Sequence, residues 1–586
     1  MNLTDWLVII FVLLGIILYG LYKSRTTKNL EGYFLSNRNL PWYVVLLSIM
    51  GTQASAITFL SGPGQAFADG MRFVQYYFGL PLAMVVICIT FVPLFNKQKV
   101  FTAYEFLEKR FDSKTRTFTS FLFLLQRGLS TGISIYAPSI IISSLFGWDI
   151  FWTNLIMGGL LIIYTVTGGA KAVAHTQKIQ LVIIFAAMTA AGYWVVHLLP
   201  ENVSMIDALH VSGTAGKTNV ITTGPDGADF WKDRYNIWSG IIGGFFLALS
   251  YFGTDHSQVG RYLTAQNNRE SRLGLLMNGL IKVPMQFAIL LIGVLVFAFY
   301  QFNPSPVNFD ESLVTEVNKT PYKDSVQLLQ QRYDSLTVLK TKETQAYVLS
   351  LQKNGKTEAM QEKMESLNGK TDSVRKEFKR MAQAAVNKKG DDANYVFLAF
   401  VKTYLPTGLK GLLIAIIFLA AWGSIAAALN SLAASTVVDF HQQFAKANTE
   451  VQDYNIAKWY TLGWGIFSVL VAEFAGNLGQ SLIETVNVLG SLFYGVILGI
   501  FLVAFYLKHI KGTAVFIAAI IVEIFIVALF FNENISFLKW LPDISFLWLN
   551  AIGAIGVMLL SQLIQPFMNK KKGDATAPPF PMEITP

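Results

Sequence analysis

The chain has 586 residues, of which 53% are hydrophobic and only 14% are charged, and its mean hydropathy is +0.45. Soluble globular domains carry about 25% charged residues, so the composition excludes an ordinary soluble enzyme or binding module. The net charge of +9 requires no nucleic-acid partner, because lysine and arginine collect in the cytoplasmic loops of membrane proteins. The sequence therefore predicts a protein embedded in a lipid bilayer.

About thirteen apolar segments are long enough to cross a hydrocarbon core about 30 Å thick, which predicts an all-α polytopic membrane protein. The first has an acidic residue near its start and basic residues after it, the reverse of a cleaved signal peptide, so we expect a retained helix. The predicted spans are 3–22, 42–68, 75–95, 117–143, 150–167, 179–199, 237–256, 274–301, 407–439, 456–476, 481–507, 513–532 and 546–568.

Basic clusters orient these spans. They follow the first, third, seventh, eleventh and last spans, and all five lie on one side if the N-terminus is outside and the C-terminus is cytoplasmic. We therefore expect a multi-pass protein of the plasma (inner) membrane in this orientation.

Spans two to six and seven to eleven form two sets of five. Because five is odd, the sets enter the membrane from opposite sides, as an inverted repeat requires. Each set begins with a glycine-interrupted helix, and paired interruptions of this kind indicate a binding site near the membrane midplane. The glycines are Gly51 and Gly62 in the first set and Gly240, Gly243, Gly244 and Gly253 in the second.

The chain then divides into six units. The charged insert 302–395 has apolar positions at helical spacing, which predicts a helical hairpin outside the membrane. We interpret it mainly as a solvated decoration or an oligomer contact, with substrate binding as the alternative. The units are an N-terminal helix and cytoplasmic linker (1–41), a first repeat (42–199), an outer loop (200–236), a second repeat (237–507) interrupted by 302–395, two C-terminal helices (508–568) and a proline-rich tail (569–586) predicted to be disordered.

The stretch 48–64, S-I-M-G-T-Q-A-S-A-I-T-F-L-S-G-P-G, is the most interrupted segment. Broken helices persist in lipid only where protein or water surrounds them, and unwound carbonyls there can coordinate a cation. Read alone, the stretch fits equally well a kinked helix whose small residues pack against neighbours. The matching interruption in the second set favours the ion site.

Several motifs, in order, resemble the sodium/solute symporter family that includes the sugar and proline symporters. They are G-Y-F-L-S-N-R-N-L-P-W at 32–42, T-A-Y-E-F-L-E-K-R-F at 102–111, T-G-G-A-K-A-V-A-H-T-Q-K-I-Q at 167–180 and A-L-N-S-L-A-A-S-T-V-V-D-F at 428–440. Segments 55–67, 131–142 and 257–263 look most like its iodide, multivitamin and monocarboxylate branch. The resemblance covers about residues 30 to 510, and implies a LeuT-like core of five plus five helices and sodium-coupled import of a solute.

The resemblance also implies a sodium site between the broken first core helix and the eighth core helix. Its backbone carbonyl ligands fall at Gly51, Ala54 and Ala420, and a hydroxyl ligand falls at Ser424. The family's second hydroxyl falls at Gly423, which has none. Either the site is weaker, or water or a neighbouring oxygen completes it. Sodium is the expected coupling ion.

An aspartate that the family keeps near the sodium exit path falls at Gln177 here, in a predicted loop. Its absence leaves the release step open. A proton carried by the nearby His175 is the alternative, because histidine titrates near neutrality, although a simply solvated loop histidine is more common.

Candidate substrate residues follow from the same resemblance. They are Gln53, Ser55, Thr58, Tyr251 and Lys282. Tyr251 falls on the family's aromatic gate. An ionisable residue within a span is functional by default, so Lys282 is expected to meet an anionic solute, with pairing to Glu484 or snorkelling as alternatives.

The sugar-binding carboxylate of the family falls at Ile57, which makes a sugar substrate less expected. Glu484 and Asn487 are weaker substrate candidates. Asp255 and Arg261, at the end of the seventh span, fit equally a gate-closing ion pair and a solvated loop pair.

We therefore expect a sodium-coupled symporter that imports a small organic or inorganic anion by alternating access. A sugar, polyol or amino-acid symporter is the alternative within this class, and a solute sensor or a membrane enzyme lies outside it. The short predicted tail disfavours a sensor, and the lack of a catalytic cluster or metal-ligand spacing in the sequence disfavours an enzyme. The expected partners are the solute and the bilayer, with no nucleic acid, and the oligomeric state stays open.

Overall fold

A computed structural model describes residues 1–24, 30–444, 449–476, 481–532 and 535–569, and every regular element in these ranges is helical. The predicted disordered tail lies outside the described residues from position 570 onwards. The α-helices up to the insert are α1 (Leu3–Ser24), α2 (Leu30–Leu35), α3 (Trp42–Gln53), α4 (Ala56–Asp69), α5 (Leu80–Val86), α6 (Val92–Gln98), α7 (Glu105–Arg110), α8 (Ser113–Phe146), α9 (Ile150–His197), α10 (Met205–Thr214), α11 (Gly244–Gly253), α12 (His256–Tyr262) and α13 (Asn268–Phe302).

The insert and the rest of the chain add ten helices in the described ranges. These are α14 (Glu311–Val317), α15 (Lys323–Gln352), α16 (Glu358–Val386), α17 (Ala393–Tyr404), α18 (Leu409–Ser435), α19 (Gln442–Phe444), α20 (Glu450–Ala475), α21 (Leu482–Tyr506), α22 (Gly512–Phe530) and α23 (Phe546–Asn569). A 3₁₀ segment (Met71–Tyr77) precedes α5, and π-helical segments Ile87–Phe91, Ser239–Gly243 and Thr436–His441 adjoin α6, α11 and α18.

All thirteen predicted spans coincide with helical backbone. By length and apolar composition alone, eight described helices can cross a membrane, and the bent pair of α3 and α4 makes a ninth. The loop predicted between 167 and 179 is wrong, because α9 continues through it. The family resemblance prompted that loop. The two glycines in it do not by themselves break a helix, because each costs only about 1 kcal/mol.

The first broken helix bends by 60° between α3 and α4. The bend falls at Ala54 and Ser55, whose backbone leaves helical geometry, and not at the glycines on either side. Gly62, Pro63 and Gly64 all lie inside α4, although Gly62 was predicted to interrupt the helix.

These glycines serve close packing. A Cβ at Gly64 would lie 1.7 Å from the Ala393 carbonyl oxygen, and one at Gly293 on α13 would lie 2.1 Å from the Pro63 carbonyl oxygen. Small residues let membrane helices approach to backbone contact, which explains a glycine-rich α4 that is still helical.

The second broken helix is the α11–α12 pair, interrupted at Thr254 and Asp255. Here too, the glycines that were predicted to interrupt the helix lie at close contacts and not at the break. A Cβ at Gly240 would lie 2.3 Å from the Gln75 carbonyl oxygen, and one at Gly244 would lie 2.4 Å from that of Tyr76.

Helix α18 lies at the centre and packs against α1, α3, α4, α8, α9 and α20. The insert extends from the end of α13 as the packed pair α15–α16, with a small apolar core of its own. We call the side of the protein that bears this insert the insert side. The fold thus brings both broken helices and α18 around one central region.

Substituting Gly64 tests the α4 contact. We expect Gly64→Ala to lower the thermal unfolding temperature or the folded yield, because overpacking a tight contact costs about 1–3 kcal/mol. Gly463→Ala on α20 is the control, since a Cβ there meets nothing within 4 Å. Thermal unfolding of both purified variants checks this, and equal stability would contradict the packing role.

Candidate functional site

A cavity of about 110 Å³ lies where the two broken helices meet α8, α18 and α21. Its walls carry hydroxyl, amide and aromatic side chains. The polar and aromatic lining residues are Thr52, Gln53, Ser55, Thr58, Tyr76, Tyr77, Arg127, Thr131, Ser134, Tyr251, Phe252, Ser424, Asn487 and Tyr494. A concave site with few, convergent polar groups is the usual form of a small-ligand site.

Four of the five predicted substrate residues line this cavity: Gln53, Ser55, Thr58 and Tyr251. The buried Oε1 of Gln53 has no hydrogen-bond partner among the described residues, so it is available to a ligand after a small adjustment. The Tyr251 hydroxyl accepts a hydrogen bond of 2.7 Å from Gln258. Their contact with substrate stays a prediction.

Lys282, the fifth, does not line the cavity. It is 1% exposed and lies behind Tyr77, with its ammonium 5.6 Å from the centre of that ring. The suggested pairing with Glu484 is wrong, because the Glu484 carboxylate binds Arg234 at 2.5 Å. Because Lys282 is buried outside the cavity, direct contact with a solute there would require the surrounding side chains to rearrange. The weaker candidate Asn487 does line the cavity.

Arg127 on α8 is the one charged side chain among the described residues that line the cavity. Its guanidinium binds Asp255, lies 3.3 Å from the Tyr494 hydroxyl and lies over the Tyr251 ring at 5.4 Å. Its Nε has no hydrogen-bond partner in the described part of the chain. Sequence reasoning missed Arg127, although a cation inside the predicted span 117–143 carries the same signal that singled out Lys282.

The predicted pair of Asp255 and Arg261 is wrong. Asp255 is the N-cap of α12 and accepts from the Ser257 amide at 2.8 Å, so its carboxylate lies at the helix start, where Arg127 and Tyr494 reach it. Arg261 lies near the other end of α12, is 2% exposed, and has Nε and Nη1 without partners among the described residues. Neither residue is a solvated loop residue.

The predicted sodium ligands lie where α3 ends against α18. In a continuous helix the Ser55 amide would bond to the Gly51 carbonyl, but it donates to the Gln53 carbonyl at 3.0 Å. The Gly51 carbonyl is thereby released from that bond, as expected at a helix end. Ala54 is the non-helical residue of the break.

On α18, Ser424 lines the cavity, and its hydroxyl donates to the Ala420 carbonyl at 2.9 Å. Gln180 supplies an oxygen beside Gly423, because its Oε1 lies 2.7 Å from where a Cβ of Gly423 would stand. A hard cation needs several oxygen ligands, and this amide oxygen lies where the second hydroxyl was expected. The donor set therefore fits a sodium ion without any carboxylate.

Gln177 is buried on α9 and not in a loop. Its amide nitrogen donates to the Thr52 hydroxyl at 3.2 Å and to the Gly423 carbonyl at 3.0 Å, and its oxygen accepts from Ser48 at 2.9 Å. Gln177 thus ties α3 to α18 beside the candidate ion site. His175, also predicted in a loop, lies half-buried on the same helix.

Known proteins are similar to this chain over most of its length. The model of the Sodium:solute symporter family matches residues 33–330 and 375–522. The Sodium/iodide cotransporter of Homo sapiens is 30% identical over 280 residues, which cover 47% of this chain and 41% of that protein. The Sodium/sialic acid symporter NanT of Aliivibrio fischeri (strain ATCC 700601 / ES114) is 23% identical over 574 residues, which cover 96% of this chain and 94% of that one.

A solved structure of a Na⁺-coupled sialic acid symporter, in a substrate-bound outward-open state, aligns with a TM-score of 0.73. The alignment covers 97% of this chain and 98% of the other at 21% identity, so it establishes the fold alone. The predicted all-α, LeuT-like arrangement of five plus five helices is confirmed.

Two variants test whether Gln180 completes the ion site. We expect Gln180→Ala to reduce the sodium-dependent rise in thermal unfolding temperature, because an oxygen ligand is lost. The double variant Gly423→Ser with Gln180→Ala places a hydroxyl in the vacated space and is expected to restore the rise. Gln180→Ala that responds to sodium like the unmodified protein would contradict this role.

Proposed function

Because the chain belongs to the sodium:solute symporter family, we propose that it is a sodium-coupled secondary active symporter that imports a small anionic solute by alternating access. Members of this family are transporters, so the membrane-enzyme alternative is set aside. The choice of an anion rests on Arg127, the one charged side chain among the described residues that line the cavity.

Arg127 can serve an anion without losing its present partner. Asp255 and Tyr494 engage one end of the guanidinium, while its Nε donor is unused. A charge-assisted hydrogen bond from Nε to an anion is stronger than one to a neutral hydroxyl, which favours an anion over a sugar here. A solute anion at Nε would compete with Asp255 for the same positive charge.

The cavity volume favours a small solute. At about 110 Å³ it is well below the roughly 300–1,000 Å³ of sites for drug-sized ligands. Relatives are named for iodide, for monocarboxylates and for sialic acid, all of which are anionic at neutral pH. A monocarboxylate or a halide suits both the volume and the charge.

Gly51, Ala54, Ala420, Ser424 and Gln180 would hold the sodium ion, which supplies a positive charge between α3 and α18. Coupling requires that this arrangement of oxygens exist in one conformation and be disrupted in the other. The two halves of the site belong to different helices, so a relative movement of α3 and α18 would separate the two halves. Gln177 competes for two neighbouring oxygens and would keep the helices together when the site is empty of its ion.

The multi-pass architecture agrees with a plasma or inner membrane location, and the basic clusters support an outside N-terminus and a cytoplasmic C-terminus. In this orientation the insert is extracytoplasmic, and the repeats at 42–199 and 237–507 are the bodies that rearrange around the cavity. The solute would cross the membrane when the two broken helices move, so that the cavity closes to the outside and opens to the cytoplasm.

Uptake into proteoliposomes tests the proposal. We expect accumulation of a labelled monocarboxylate or iodide only with an inward sodium gradient, and we expect Arg127→Gln to raise the KM at least tenfold, since a hydrogen bond to a charged group is worth about 1.5–3 kcal/mol. Arg127→Lys keeps the charge and should retain part of the uptake.

Arg272→Gln, at an exposed position away from the cavity, is the control and should transport normally. Uptake that is indifferent to the sodium gradient would overturn the coupling. Uptake of an anion that is unchanged in Arg127→Gln would overturn the role of the arginine.

A further inference from the structure

A second cavity, of about 520 Å³, lies between the insert and the membrane core. Helices α15 and α16 form one wall, and the ends of α4 and α13 with the loop after α10 form the other. We call it the vestibule cavity. Its charged lining residues are Lys217, Lys340, Glu365, Asp372, Arg375, Lys376, Lys379, Asp391 and Asp392, and Tyr333 and Gln301 also line it.

Lys340 on α15 is the central feature of this cavity. It is 4% exposed, and its ammonium has no hydrogen bond or ion pair with any described residue. Burial, together with the nearby Arg375 guanidinium, lowers the pKa of Lys340 to about 8. An unpaired buried charge is costly, so such a lysine is a ready partner for an anion.

The neighbouring cations are already engaged. Arg375 binds Asp392 at 2.5 Å, and the half-buried Lys217 donates to the Ala68 carbonyl and lies 5.3 Å from the centre of the Phe297 ring. Lys379 lies 3.7 Å from Asp391.

The acidic groups do not neutralise the cavity. The remaining carboxylates near Lys340, those of Glu365 and Asp372, are exposed at its rim and screened by water. The five basic residues of the lining exceed its four acidic residues by one. This single excess charge matches a monoanion better than a divalent anion.

A polar wall completes the cavity. The Nδ2 of Asn368 is buried without a partner in the described part of the chain, and it can turn to donate to a ligand. Tyr333, whose hydroxyl is 3.1 Å from that of Ser305, and Gln301 lie on other sides. A carboxylate, with two acceptor oxygens, can take both an ammonium and an amide donor.

We propose that the vestibule cavity is a second solute site, which binds a small carboxylate monoanion through Lys340 and Asn368 independently of sodium. The site is separate from the central cavity, with which its lining shares no residue. It gives the insert a ligand-binding role, the alternative to a solvated decoration.

Calorimetric titration of the purified full-length protein tests this site. The probe is choline pyruvate in sodium-free buffer, with choline sulfate holding the ionic strength. We expect saturable binding that weakens at least tenfold in Lys340→Met and persists in Lys340→Arg. Lys342→Met, on the exposed face of the same helix, is the matched control and should bind normally.

The pH dependence gives an independent readout. Lys340 must be protonated to bind the anion, so affinity should be highest at pH 7 and fall as the pH rises through about 8. The charged groups around it that share this field are Lys217, Asp372 and Arg375. Lys340→Met should remove this dependence. It should also stay folded, because it removes an unpaired buried charge.

Arg127→Gln separates this inference from the proposed function. Sodium-free binding that is retained in Arg127→Gln and lost in Lys340→Met supports the vestibule site. Binding that is lost in Arg127→Gln and retained in Lys340→Met would overturn the vestibule site and assign the anion to the central cavity. An equal loss of binding in Lys342→Met, or no binding in the unmodified protein, would also overturn the vestibule site.

Discussion

The break between α3 and α4 is the constraint on which the rest of the structure depends. Backbone groups in a bilayer need partners, so two non-helical residues can exist there only inside a protein wall. Helices α9 and α18 provide that wall, and Gln177 bridges them across the end of α3. The same break faces Gln53 and Ser55 toward the cavity and frees the Gly51 carbonyl. The candidate ion site and the candidate solute site thus share one interruption.

The break between α11 and α12 contributes a charged residue, whereas the break between α3 and α4 contributes oxygen atoms that could bind an ion. Asp255 stands at the interruption between α11 and α12 and binds Arg127, which lines the cavity. An anion that draws on Arg127 would weaken its hold on Asp255, and thereby on the second broken helix. Under the proposed function, the solute therefore acts on the second broken helix, while sodium acts at the end of α3. This division explains how two ligands without direct contact can favour one conformation.

Periodicity and composition predict much of this architecture. Apolar run length located helical backbone for all thirteen predicted spans, two of which merge into α9, and the family resemblance identified four residues that line one cavity: Gln53, Ser55, Thr58 and Tyr251. Local pattern was less informative about the breaks. Glycine was read as a point of interruption, whereas Gly64 and Gly240 are needed for backbone contact with partners far away in sequence. Only the packed structure distinguishes those two uses.

The sequence alone also did not predict which residues far apart in the chain pair with each other. Asp255 was matched to Arg261 because they are neighbours in the chain, yet its partner comes from α8, 128 residues away. The predicted loop around Gln177 is a buried helix, and the compensation of Gly423 by Gln180 depends on how α9 faces α18. The Asp255 error has a simple cause: sequence neighbours were taken for spatial neighbours.

The fit of α4 against the insert has a mechanical consequence. Asn394, at the end of the insert, accepts a hydrogen bond from Ser61 of α4 at 2.6 Å and another from the Leu482 amide of α21 at 3.1 Å. Gln65 of α4 accepts from Ser481 at 2.6 Å. If α4 moves, it must therefore break these hydrogen bonds, or the base of the insert must move together with it. Under the proposed orientation the insert lies outside the membrane, so an antibody fragment that immobilises it would restrain the movement of α4.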